Sequence, residues 1–203
     1  MTGRASDHEA REDGRERDEH LVKLTADGDR DAFAELMRRH EDLVFGTCLR
    51  LVRDRELALD TTQEVFITVF RKASRFRGES AFTTWLYRIA VNASYDQLRK
   101  TSRRRTVPLP EQHDPADDSA SAPFESVELR PSVLDALSRI PEEFRAAIVL
   151  MDAQGLSVAE TAGILDVPPG TVKSRVFRAR RLLAKELGNL MDDSEHHTDE
   201  HHA

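Results

Sequence analysis

Between Gly170 and Lys185 the chain carries no acid, and Val172, Val176, Ala179, Leu183 and Leu187 recur at intervals of four, three, four and four. On a helix of about 3.6 residues per turn this spacing draws one continuous apolar stripe, the face to be buried. Lys173, Ser174, Phe177, Arg178, Arg181 and Lys185 then point the other way, so an aromatic ring stands among cations on the exposed side. Such a face suits phosphates and base edges. The plain alternative is a solvated, charged helix on a helical hairpin.

The preceding residues favour the first reading. Pro141-Glu142-Glu143 looks like a helix start, with proline at the first position and acids in the first turn, and Phe144, Ala147, Ile148 and Met151 supply an apolar face. Gly155 stops that helix. Ser157-Val158-Ala159-Glu160 has the form of a capping box, and it opens a short helix whose Val158, Ala162 and Leu165 face inward. Asp166-Val167-Pro168-Pro169-Gly170 turns the chain, because consecutive prolines cannot continue a helix, and the basic helix follows at once. The pattern predicts a helix-turn-helix with a supporting helix in front.

A net charge of -7 over 203 residues argues at first against a nucleic-acid partner. The acids, however, are segregated. Residues 1–20, 111–128 and 192–203 together hold eighteen acids against four arginines, which leaves the remainder of the chain at +7. The folded parts are therefore basic, and the acidic parts read as tails and a linker. With 39% hydrophobic and 33% charged residues the composition fits a mainly helical protein. No apolar run approaches a membrane span, and residues 1–20 lack the apolar core of a signal peptide, so a cytoplasmic location is expected. Cys48 is the only cysteine, which excludes an internal disulfide and a cysteine-based zinc site, and its place between Val44 and Leu51 predicts a buried, inert thiol.

Along the chain, Leu21 to Ala26 predicts a short helix broken by Gly28-Asp29. From Arg30 to Arg53, Phe33, Leu36, Met37, Val44, Cys48 and Leu51 recur at helical spacing. A third helix, Glu56 to Ser74, is expected to carry Val65, Phe66, Val69 and Phe70 inward and Asp60, Gln63 and Glu64 on its polar side. Arg75 to Phe82 reads as a loop, and a helix from Thr83 to Arg103 follows. Between Arg71 and Arg105 ten lysines or arginines meet only Glu79 and Asp96, interleaved with aromatics. Single-stranded nucleic acid asks for that mixture, since bases stack on rings while phosphates meet positive charge. Trp85 and Ile89 are read as core; Phe76, between Arg75 and Arg77 in the loop, is the candidate for stacking. Residues 106–130, with four prolines and six acids, read as a linker, after which Val133, Leu134, Leu137 and Ile140 open a second domain.

Both halves resemble one family, the extracytoplasmic-function (group four) bacterial sigma factors, over about Leu21 to Leu190. Asp60-Thr61-Thr62-Gln63-Glu64-Val65-Phe66 and the run from Phe76-Arg77-Gly78-Glu79 through Trp85 to Asn92 are similar to sigma domain two. Gly155-Leu156-Ser157 and Pro169-Gly170-Thr171-Val172-Lys173-Ser174-Arg175-Val176-Phe177-Arg178-Ala179-Arg180 are similar to sigma domain four. Leu59 departs from the pattern, standing where the family usually has an acid before Asp60.

The resemblance implies an all-α protein of two small helical domains joined by a flexible acidic linker: a disordered tail over 1–20, domain two over 21–105, the linker over 106–130, domain four over 131–190 and a disordered acidic tail over 191–203. It implies no enzyme and no cofactor, but a subunit that binds core RNA polymerase, directs it to promoter DNA and answers to an anti-sigma factor. Asp60, Gln63 and Glu64 match the polymerase contact. Phe76 and Asn92 match the positions that hold a flipped base of the downstream element, with Arg88 and Arg99 on the same surface. Lys173, Ser174, Phe177 and Arg178 match the positions that read the upstream element in the major groove; Thr171 belongs to that surface, and Arg175, Arg180 and Arg181 would hold phosphates. The paired histidines at 196–197 and 201–202 are not read as a metal site. Two rivals stand beside this reading: a stand-alone helix-turn-helix regulator, and a nuclease using acids such as Asp60 and Glu64 with a divalent metal.

Overall fold

Helix boundaries are set by caps that the sequence supplies. The computed structural model describes the backbone of residues 3–106 and 131–198 and the side chains of residues 14–103 and 132–188. After α1 (Gly3–Ala26), the Asp29 carboxylate accepts from the backbone N–H groups of Asp31 and Ala32 at 2.9 and 3.0 Å and starts α2 (Arg30–Val52). Arg53, left-handed at φ 66°, ends α2, and Asp54 at once caps α3 (Arg55–Lys72) by accepting from Leu57 N–H at 2.9 Å. A 3-10 turn (Ala73–Arg75) and a loop lead into α4 (Phe82–Thr106). The second half comprises α5 (Pro131–Ser138), α6 (Glu142–Ile148) widening into a π-helical turn (Val149–Ala153), α7 (Val158–Leu165) and α8 (Pro169–Thr198).

The expected capping box is present: Glu160 N–H donates to Ser157 Oγ at 3.2 Å while Ser157 N–H donates back to the Glu160 carboxylate at 2.9 Å. The Ser157 hydroxyl, donating to the Glu160 carboxylate at 2.6 Å, and then the Ser157 N–H hold that carboxyl below its ordinary value. Val172, Val176 and Ala179 are buried and Leu183 and Leu187 half-buried, the stripe read from their spacing. Val172 and Val176 pack with Ala147 and Ala162, and Ala179 and Leu183 with Leu137, Ile140 and Ile148, which makes the core of the second half. The first half closes around Leu36, Val44, Phe45, Cys48, Val65, Phe66, Val69, Phe82 and Leu86. Cys48 is fully buried, and desolvation pushes its thiol up to about 11, so it is the inert thiol expected.

Several expectations are corrected. Residues 1–20 are not all tail: α1 begins at Gly3, and Asp18 is buried between Arg39 Nε, at 2.9 Å, and His40 Nε2, at 2.9 Å. A carboxylate can be buried when donors satisfy it, and here α2 supplies both. The backbone of α8 continues to Thr198, past the domain boundary expected at 190. Phe70 stays 42% exposed, facing away from the core that Val65, Phe66 and Val69 enter. Pro141 caps α6 from outside its first turn. The linker over 107–130 lies outside the described residues.

The two halves also pack on each other. Leu51 of α2 and Tyr87 and Val91 of α4 form one buried cluster with Ala146, Val149, Leu150 and Ile164 of the second half. Tyr87 Oη donates to Gln154 Oε1 at 3.0 Å, Arg88 Nη2 donates to the Gly163 carbonyl at 2.8 Å, and Arg53 Nη1 donates to the Ser138 carbonyl at 2.9 Å. Beneath them Arg145 is 1% exposed and spends Nη1 on the Leu137 carbonyl at 3.1 Å. Burial, and then the neighbouring Arg53, pull its guanidinium down to about 10.

Asp18→Ala should cost about 1 to 3 kcal/mol, because it leaves the buried donor of His40 and the half-buried one of Arg39 without this acceptor. Urea denaturation followed by circular dichroism reads the change, and faster amide exchange in α1 should accompany it. An unchanged midpoint would show that α1 is not tied down through Asp18.

Candidate nucleic-acid interface

The second half supplies one continuous cationic face. Lys173, Ser174, Phe177, Arg178, Arg180 and Arg181 are exposed on α8, with Phe177 at 63%, and Thr171 and Arg175 are half-buried. Turn chemistry places the start of this face: Asp166 is left-handed at φ 52°, and Thr171 N–H donates to the Pro168 carbonyl at 2.9 Å as α8 begins. The cations are not equivalent. Arg181 lies over the Phe177 ring at 5.9 Å, and Arg178 lies over Phe144 at 5.8 Å. Arg180 is held by Asp152, Nε to Oδ2 at 2.9 Å and Nη2 to Oδ1 at 2.7 Å. That pairing raises the Arg180 pKa. Arg175 is half-buried, and its charge partly offsets the rise that burial imposes on the Tyr95 hydroxyl. Arg175, Arg180 and Arg181, assigned alike to phosphates by sequence, thus differ: one is half-buried, one is paired with a carboxylate and one lies over an aromatic ring.

The first half presents two surfaces on either side of the α3 ridge. Asp60, Gln63 and Glu64 are exposed one turn apart on α3. On the Gln63 side an apolar groove of about 550 Å³ runs between α2 and α3, lined by Phe33, Met37, Leu59, Phe66, Ile67 and Phe70. Met37, Ile67 and Phe70 are among the large apolar side chains left exposed. Leu59, the departure from the family pattern, belongs to this groove. On the other side Asp60 and Glu64 share a polar groove with Lys72, Asn92, Asp96, Arg99, Lys100 and Arg103 of α3 and α4. Among the described residues no three His, Cys, Asp or Glu side chains converge to hold a metal ion.

Phe76 and Asn92 are not joined in one pocket. Phe76 is half-buried against Phe82 and Trp85, ring centroids 5.9 and 5.5 Å apart. Asn92 is exposed, seven residues beyond Trp85, which is about 10 Å along a helix. A loop aromatic flanked by arginines reads as exposed in sequence; here it has core neighbours to cover it. Asn92 also borders the cleft between the halves, with Arg88, Tyr95, Gly163 and Asp166. Arg88 is spent on the Gly163 carbonyl, and Arg99 pairs with Asp96 at 3.2 Å.

The sequence reading missed Asp152 and the residues joining the halves, Tyr87, Gln154, Gly163 and Ile164. Ile164 left the one usable signal, being the apolar position between Ala162 and Leu165 that a single inward stripe leaves out. Asp152 left none, because its partner stands 28 residues away.

Among the described residues no helix is long and apolar enough to cross a membrane. Residues 36–104 match Sigma-70 region 2 and residues 130–183 match Sigma-70 region 4. The chain is 42% identical over 173 residues to the ECF RNA polymerase sigma factor SigM of Mycobacterium tuberculosis strain H37Rv, covering 85% of this chain and 86% of that one. It is 37% identical over 190 residues to the ECF RNA polymerase sigma-E factor of Escherichia coli K12, covering 86% and 96%. Among solved structures it is similar to the sigma factor RpoE in complex with the anti-sigma factor NepR from Bartonella quintana, with a TM-score of 0.61, 26% identity and coverage of 77% of this chain and 96% of that one. A helix-turn-helix with a basic exposed face, preceded by a helical domain with an exposed α3 ridge, agrees with both regional matches, and the chain belongs to the extracytoplasmic-function family of RNA polymerase sigma factors.

Proposed function

We propose that this chain binds core RNA polymerase through the α3 ridge and the groove beside it, brings the enzyme to promoters through α8, and holds the opened downstream element along α4. It works in the cytoplasm, as an initiation subunit without catalysis of its own, under the control of an anti-sigma factor. The observation that carries this reading is the exposed face of α8, where Lys173, Ser174, Phe177, Arg178 and Arg181 stand together while Val172, Val176 and Ala179 fix the helix from behind. A rigid helix with phosphate-binding cations and guanine-reading donors on one side fits a major groove. The exposed Met37, Ile67 and Phe70 beside Gln63 support a protein partner on α3, since contiguous apolar surface rimmed by polar residues marks an interaction site. The anti-sigma partner is carried over from the complex formed by the similar RpoE.

Reconstitution with core polymerase and selection from a random promoter library tests the whole reading. Asp60→Ala combined with Gln63→Ala should weaken polymerase binding in a competition assay while circular dichroism stays unchanged. Equal affinity would remove α3 from the contact.

Arg178→Ala should cost about 1 to 3 kcal/mol of promoter binding, concentrated on the selected upstream sequence, because a paired hydrogen bond to a base edge is lost. An equal loss on all sequences would make Arg178 a phosphate contact instead. For Phe76 the packing against Phe82 and Trp85 demands a conservative control: Phe76→Leu keeps apolar volume and removes the stacking surface. Permanganate reactivity of unpaired thymines should fall for Phe76→Leu while duplex binding persists. Normal opening with this variant would confine Phe76 to the core.

A further inference from the structure

Arg180 stands on the same edge of the α8 face as Lys173, seven residues or nearly two turns farther along. When a helix lies in a major groove its centre meets base edges and its borders meet the flanking phosphates, so Arg180 is placed for the DNA backbone. In the protein alone a carboxylate already occupies its fork. The two parallel hydrogen bonds from Arg180 to Asp152, at 2.9 and 2.7 Å, are the arrangement in which a guanidinium also grips a phosphate. The partners are 28 residues apart, and the π-helical turn Val149–Ala153 presents Asp152 beside α8. Both remain substantially exposed, 60% for Arg180 and 37% for Asp152, so the pair lies where a nucleic acid can reach it. Among the described residues no carboxylate pairs with Lys173, Arg178 or Arg181.

We propose that Asp152 acts as a tethered substitute for a DNA phosphate, occupying the Arg180 guanidinium and withholding one sequence-independent backbone contact from the recognition helix. The inference rests on the proposed role of α8 in binding DNA. Asp152 must be displaced, or its repulsion borne, whenever Arg180 meets the backbone. The effect falls on every sequence alike, and Ser174, Phe177 and Arg178, nearer the centre of the face, keep the reading of bases. By lowering the shared backbone term, Asp152 raises the weight of the base contacts in deciding where the protein binds.

The test uses the full chain and a random-sequence 30-bp duplex, with affinity measured by fluorescence anisotropy across a salt series. Asp152→Asn keeps the shape and removes the charge; it should tighten binding several-fold at low salt and steepen the plot of log affinity against log salt by about 0.9, the value of one further phosphate contact. In an Arg180→Ala background, Asp152→Asn should have less than half that effect and leave the slope unchanged. Lys173→Ala reads the underlying role of α8 separately. If Lys173→Ala fails to weaken binding or lower the slope, the proposed DNA-binding role of α8 fails, and this inference with it. If Lys173→Ala behaves as expected but Asp152→Asn weakens binding, leaves the slope as it was, or acts equally with and without Arg180, then Asp152 is a positioning or general charge effect and the substitution for phosphate is overturned. Melting curves of each variant establish that the comparison is made on folded protein, and Asp152→Ser provides a second neutral side chain at the same position.

Discussion

The arrangement depends on α4 having two buried stripes instead of one. Phe82, Leu86 and Ala90, four residues apart, enter the core of the first half with Val44, Phe45 and Val65. Tyr87 and Val91, one position farther round the same helix, enter the cluster that includes Val149, Leu150 and Ile164 of the second half. Successive helical residues point about 100° apart, so a single helix can serve two cores only if the polar face left over is narrow. On α4 that remainder holds Arg88, Asn92, Asp96, Arg99 and Lys100, all exposed. The helix that completes the first domain and joins it to the second thus also confines Arg88, Asn92 and Arg99, its own side chains proposed for DNA, to one strip.

How much of this the sequence discloses depends on whether a residue's partner is near in the chain. The α8 stripe, the Ser157–Glu160 capping box and the turn at Asp166 to Gly170 rest on neighbours within a few positions, and periodicity and cap chemistry expose them. Asp18 sits in a polar, charged stretch without helical periodicity; only Arg39 and His40, over twenty residues away, make it a buried anchor. Phe70 fails in the opposite sense, since its spacing from Phe66 suits a core face but the groove between α2 and α3 leaves it partly open. The candidate site divides likewise. Exposure of Asp60, Gln63, Glu64 and the α8 cations follows from local pattern, whereas the states of Arg88, Arg175 and Arg180 are set by groups in distant parts of the chain.

Charge is distributed on the same principle. A chain of net charge -7 presents a cationic face on α8, and many of the acids in the described helices are engaged or placed away from it. Asp18 faces inward, Asp29 and Asp54 cap helices, Glu160 is bound to Ser157, and Asp60 and Glu64 lie on a different domain from α8. Asp152 is the exception that touches a cation of the face itself. Position relative to the face, more than net charge, determines what each acid does to a polyanionic partner.

The packing between the halves sets a condition on any partner that needs them apart. Separation would expose apolar surface of Leu51, Tyr87, Val91 and Ile164 and break the hydrogen bonds from Tyr87 to Gln154 and from Arg88 to Gly163. Burial of one large apolar side chain is worth about 1.5 to 3 kcal/mol, and part of each of these remains covered within its own half. An opening cost of about 4 kcal/mol would lower the apparent affinity for an open-state ligand roughly a thousandfold, at about 1.4 kcal/mol per factor of ten. A partner that engages only Asp60, Gln63 and Glu64 leaves the equilibrium where it was, because that ridge is exposed with the halves packed as they are. A partner that takes Arg88 draws on the opening free energy directly, since Arg88 must first leave the Gly163 carbonyl. Differential affinity alone moves such an equilibrium, so a partner couples to the packing of the halves only through the side chains that join them, such as Arg88, Tyr87 and Ile164.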